Sequence, residues 1–200
     1  MKNVTLTING KKHDLALEGH ETLLEVLRNQ LGLTGTKTAC EESECGTCTV
    51  QINGKAELSC IKLACDAQGE DILTIEGLAD GDNLHPVQQA YLDYGAVQCG
   101  FCIPGMIMST KALLERKPEP SQEEIEYALD GNICRCAGYP KIFDAVRKAG
   151  EVMKQGWQQA ARPDEKNESR PDMEKITCGI TYEEYVKTLN AGKTAEAADQ

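Results

Sequence analysis

The chain has 200 residues and ten cysteines, with 32 acidic against 21 basic side chains for a formal net charge of −11. That balance excludes a nucleic-acid surface, because phosphate contacts need clustered Lys and Arg. No apolar run reaches the length of a membrane span. The residues after Met1 lack the apolar stretch of an export signal, so a cytoplasmic chain is expected, with cysteines that ligate metal rather than pair as disulfides.

Residues 4–8 alternate apolar and polar, the period of a half-buried strand, and Asn9-Gly10 turns them into a return strand over residues 11–17. Thr22 reads as an N-cap, with Glu25 completing a capping box. Leu23, Leu24, Val26, Leu27 and Leu31 follow at helical spacing until Gly32. A second hairpin is expected over residues 47–52 and 55–61 around Asn53-Gly54, and a last strand over 72–75. Strand, strand, helix and hairpin open a β-grasp domain, placed at residues 1–76. Beyond Gly77 the apolar period changes to that of helices, expected at 85–94, 105–116, 121–131 and 142–159. Ser121 and Glu124 form a second capping box, and Pro86 is tolerated in a first turn. Short connections make these a four-helix bundle over 77–160. Residues 161–200 read as a polar linker, one short helix at 181–189 and a frayed end. The fold class is α+β.

Cys40, Cys45 and Cys48 are spaced by four and then two residues, and Cys60 follows in the second hairpin. This is the plant-type [2Fe–2S] spacing. Zinc is the alternative, although structural zinc usually takes two short knuckles rather than a triplet plus one. Gly46 and the small Thr47 leave room for backbone N–H groups to approach such a cluster. A second set, Cys99 and Cys102 with Cys134 and Cys136, makes another sulfur-rich site suited to zinc or an iron–sulfur cluster. His85, ahead of Pro86, reads as a capping or surface residue, and His13 and His20 have no partner pattern. Cys65 reads as a small buried apolar residue and Cys178 as a free thiol.

Three motifs occur together: Cys40-Glu41-Glu42-Ser43-Glu44-Cys45-Gly46-Thr47-Cys48, Gln98-Cys99-Gly100-Phe101-Cys102-Ile103-Pro104-Gly105-Met106, and Gly131-Asn132-Ile133-Cys134-Arg135-Cys136-Ala137-Gly138-Tyr139. With them the chain resembles, over residues 3–155, the small iron–sulfur subunit of the xanthine dehydrogenase (molybdenum hydroxylase) family. The resemblance implies a plant-type ferredoxin-like domain followed by a four-helix domain, each holding one [2Fe–2S] cluster. Cys40, Cys45, Cys48 and Cys60 would hold the first cluster, and Cys99, Cys102, Cys134 and Cys136 the second. It further implies a large partner subunit carrying a molybdenum–pterin cofactor contacted by Gln98 and Cys136, and FAD in a further partner. Single electrons would pass from the molybdopterin through both clusters to the flavin, with the chemistry on the partner. Ser43 stands where the family commonly has Gly, and Ile103 and Ala137 where Thr is common. Arg135 either opposes the charge of the second cluster or makes a surface ion pair. The rivals are a related reductase of an aromatic thioester with reversed flow, a free-standing ferredoxin, and a two-site zinc adaptor. No dinucleotide fingerprint is present.

Overall fold

The structure is a computed structural model that describes residues 1–155. The linker, the helix expected at 181–189 and Cys178 lie outside the described residues. Five strands, β1 (Lys2–Ile8), β2 (Lys11–Leu17), β3 (Thr49–Ile52), β4 (Lys55–Leu58) and β5 (Asp71–Leu73), form one mixed sheet in the order β2-β1-β5-β3-β4. β1 runs parallel to β5, and the other neighbours are antiparallel. Both hairpins turn on Asn-Gly pairs with positive φ, 51° and 74° at Asn9-Gly10 and 50° and 78° at Asn53-Gly54. That is the geometry whose twist suits two-residue hairpins. Val4, Leu6 and Ile8 of β1 point into a core completed by Leu17, Leu23, Val26, Leu27, Val50, Ile52 and Ile72.

The first helix starts as expected. Thr22 caps it, with Glu25 N–H donating to Thr22 Oγ1 and Thr22 N–H to Glu25 Oε2. It departs from one regular helix after a single turn, α1 (Leu23–Glu25), and widens into a π turn over Val26–Gln30. One face of this segment covers the sheet, while Leu24 packs with Cys48 and Cys60. β4 ends at Leu58, short of the expected Ile61. The Ser59 hydroxyl donates to Cys48 O at 2.7 Å and bends the chain, carrying Cys60 over Cys48. The last strand also stops early. Thr74 is bound by the Asn9 side chain, and residues Ile75–Gly77 form a 3-10 turn.

Four helices follow among the described residues: α2 (Pro86–Asp93), α3 (Ile103–Arg116), α4 (Gln122–Leu129) and α5 (Tyr139–Lys154). Their core is built on Tyr91, Met106, Met108, Leu114, Ile125, Ile142 and Val146. α3 and α5 begin two and three residues before their expected starts, each with a proline in the first turn. His85 is the N-cap of α2 and is buried: its Nδ1 accepts from Val87 N–H at 3.2 Å. β3 is buried on both faces, although its alternating Thr-Val-Gln-Ile pattern reads as half exposed. α3 covers the outer face of β3, where Lys111 Nζ donates to Gln51 Oε1 at 3.1 Å.

Candidate metal centres

The loop from Cys40 to Cys48 has left-handed residues at Glu41 (φ 57°), Ser43 (63°) and Gly46 (68°). Such alternation turns successive N–H groups toward one side, making a concave donor surface for a negative group. Glu42 N–H donates to Cys40 Sγ at 3.4 Å. That bond, with the Cys45 thiol and the N–H groups of Cys45 and Glu44, lowers the Cys40 thiol to about 7. Cys48 and Cys60 are buried beneath Leu24, and burial pushes the Cys48 thiol up to about 11. A metal entering there displaces a proton as it recruits the thiolate.

Cys99, Cys102, Cys134 and Cys136 line one pocket together with Gln98. Cys102 is the N-cap of α3 and is buried, which drives its thiol up to about 12. At Cys134 burial acts upward, but N–H groups of Gly138, Cys136 and Ala137 and the Cys102 thiol outweigh it and lower the thiol. Ala137, between two of these donors, holds a left-handed φ of 58°. The Cys134 N–H donates to Tyr139 Oη at 2.8 Å. Gln98 Nε2 donates to Cys136 O at 3.3 Å, so the two residues expected at a pterin contact lie together.

Within each quartet the thiols perturb one another chiefly two by two, Cys40 with Cys45, Cys48 with Cys60, Cys99 with Cys136, and Cys102 with Cys134, with charge repulsion linking the pairs. Among the described residues no three Cys, His, Asp or Glu side chains close on a single-ion position. A [2Fe–2S] cluster takes four thiolates, two on each iron, so the two-by-two arrangement fits it. Cys65 joins neither quartet. It is half-buried rather than buried, and its thiol faces Glu18 O at 3.8 Å. Arg135 is exposed and makes no ion pair among the described residues.

The quartets adjoin one another. Ile133 N–H donates to Cys45 O at 3.0 Å. The Asn132 side chain, buried, donates from Nδ2 to Gly46 O at 2.8 Å and accepts at Oδ1 from the Ser109 hydroxyl at 2.7 Å. A Cβ on Gly46 would lie 2.1 Å from Gly131 O, and one on Gly105 would lie 2.4 Å from Gly46 O. Asn132, Ser109 and Tyr139 carry no metal-ligand signature, so cysteine spacing does not find them. Only the Gly residues within the motifs hint at close backbone approach.

Two cysteine quartets on a sheet-and-helix scaffold define a two-cluster electron-transfer protein. Residues 6–73 match the 2Fe-2S iron-sulfur cluster binding domain, and residues 74–147 match the [2Fe-2S] binding domain. The chain is 47% identical over 148 residues to the nicotinate dehydrogenase small FeS subunit of Eubacterium barkeri, covering 74% of this chain and 94% of that one. It is 44% identical over 146 residues to the nicotine 6-hydroxylase small subunit of Paenarthrobacter nicotinovorans, covering 73% and 88%. Quinoline 2-oxidoreductase from Pseudomonas putida 86 superposes with a TM-score of 0.74 at 39% identity, over 78% of this chain and 97% of the matched chain. Aldehyde oxidoreductase from Desulfovibrio gigas superposes with a TM-score of 0.75 at 40% identity, over 80% of this chain but 18% of the longer one. The chain belongs to the small iron–sulfur subunits of the xanthine dehydrogenase (molybdenum hydroxylase) family. It is an oxidoreductase subunit that binds [2Fe–2S] clusters and transfers electrons.

Proposed function

We propose that the chain carries single electrons between a molybdenum–pterin centre on a large partner subunit and a flavin subunit, in the cytoplasm. Residues 1–76 form the domain of the outer cluster, with Cys40, Cys45, Cys48 and Cys60 as ligands. Residues 77–160, read as a four-helix bundle, form the domain of the inner cluster, with Cys99, Cys102, Cys134 and Cys136 as ligands. Each [2Fe–2S] cluster gives or takes one electron at a time, which steps two-electron chemistry down to single transfers. The residues of this chain do the rest. Eight thiolates fix the position of the clusters, and backbone N–H groups at Cys40 and Cys134 offset sulfur charge. Burial of Cys48, Cys60 and Cys102 keeps water away from one side of each site. Gln98 and Cys136, on the exposed side, are the pterin contacts.

The observation that carries this reading is the two-by-two sulfur arrangement, repeated in loops joined by the Ile133–Cys45 hydrogen bond. Large apolar side chains beside the exposed ligands, Phe101 at 48% and Ile133 at 53% exposure, support a covering partner. Metal and sulfide analysis of anaerobically prepared protein tests it. The expectation is about four irons and four sulfides per chain, and two distinct EPR signals after dithionite reduction. A colourless, zinc-containing product overturns it.

A further inference from the structure

We infer that Asn132 is the positioning residue that sets the magnetic and electronic coupling between the two clusters, by clamping the loop of one to the loop of the other. The inference rests on the ligand assignment proposed above and adds to it a side chain that touches neither quartet. Asn132 lies two residues before Cys134 and is 4% exposed. Its amide spends both ends on other segments: Nδ2 on Gly46 O, directly after Cys45, and Oδ1 on Ser109 of α3, which begins directly after Cys102. Nδ2 also reaches Thr49 Oγ1 at 3.4 Å. The side chain therefore joins three of the segments that carry cysteines. Its neighbour Ile133 donates its backbone N–H to Cys45 O at 3.0 Å, a second tie between the same two loops. Buried hydrogen bonds of this kind fix one geometry, because breaking one leaves a desolvated partner unpaired.

Asn132→Asp is nearly isosteric. It keeps an acceptor for Ser109 but places a carboxylate oxygen against Gly46 O, so the loops move apart. Ser109→Ala is the milder companion, which frees the amide to turn. In the full chain carrying both clusters and fully reduced, low-temperature EPR reads the spin–spin splitting between them. The expected result for Asn132→Asp is full iron content, both single-cluster signals present, and loss of the resolved splitting, with Ser109→Ala intermediate. A splitting equal to that of the wild type, with iron retained, overturns the inference and leaves the ligand assignment standing. Failure of the wild type to show two iron–sulfur signals would sink the ligand assignment instead. If Asn132→Asp loses a cluster, Ser109→Ala decides: unchanged splitting, or iron loss there as well, makes the pair a device of cluster retention and overturns the coupling role.

Discussion

Ser43, like Glu41 and Ala137, holds a conformation that its residue type disfavours. It holds φ 63° in the loop of the first quartet, a region where an L side chain costs roughly 1–2 kcal/mol. The inward-turned N–H groups impose that angle. Ser43→Gly removes the clash and adds back some chain entropy on unfolding. The holo-protein should gain about 0.5–1 kcal/mol, visible as slower bleaching of the visible chromophore under chelator, with unchanged iron content. Tyr139 makes the opposite case, a side chain well matched to its site. Its hydroxyl is the acceptor for Cys134 N–H, and Tyr139→Phe should cost about 1 kcal/mol in denaturant stability while both clusters remain. The eight cysteines proposed as ligands stood out in the sequence by their spacing, and the second four line one pocket in the structure. The residues that hold the centres together did not stand out. Asn132 and Gly46 are 86 residues apart, and no local pattern announces that they meet.

Among the elements, the hairpins and capped helices were legible because each is specified within a few residues: Asn9-Gly10, Asn53-Gly54, Thr22 with Glu25, and Ser121 with Glu124. The π turn after Glu25 and the double burial of β3 were not, since both answer to neighbours far along the chain. α2 carries a consequence for pH. His85 caps it through an unprotonated Nδ1, and burial, then the Lys111 cation, hold its pKa down to about 4, against a smaller opposing pull from Glu115. The ordinary value is 6.5, so between these values the unfolded chain binds a proton that the folded chain refuses. The corresponding stability is complete above the upper value. It drains away as pH falls through the window and is gone below about 4, an amount up to roughly 3 kcal/mol. His85→Asn keeps a capping oxygen and does not titrate. Urea unfolding between pH 7 and 5 should therefore lose less stability in the variant than in the wild type. Parallel losses would assign the pH response to other groups.

In the whole molecule, the two cysteine quartets share a wall. Gly46 holds φ 68° and has Gly131 O and Asn132 Nδ2 within 2.1 and 2.5 Å of the place a methyl would occupy. Gly46→Ala meets both penalties, a disfavoured backbone angle and overpacking between loops, and should cost roughly 2–4 kcal/mol. The expected readout is depressed iron occupancy at both centres rather than at the nearer one alone. Loss confined to one centre would mean the loops yield independently. Gly105 makes the same demand from the other side, since its missing side chain is what lets the first turn of α3 rest on the carbonyl of Gly46. An engineer who cut the gene between residues 76 and 77 to borrow either half as a stand-alone redox module would remove a side of the mould from both castings. Grafts of this scaffold will have to move residues 40–49, 102–110 and 131–139 as a single unit.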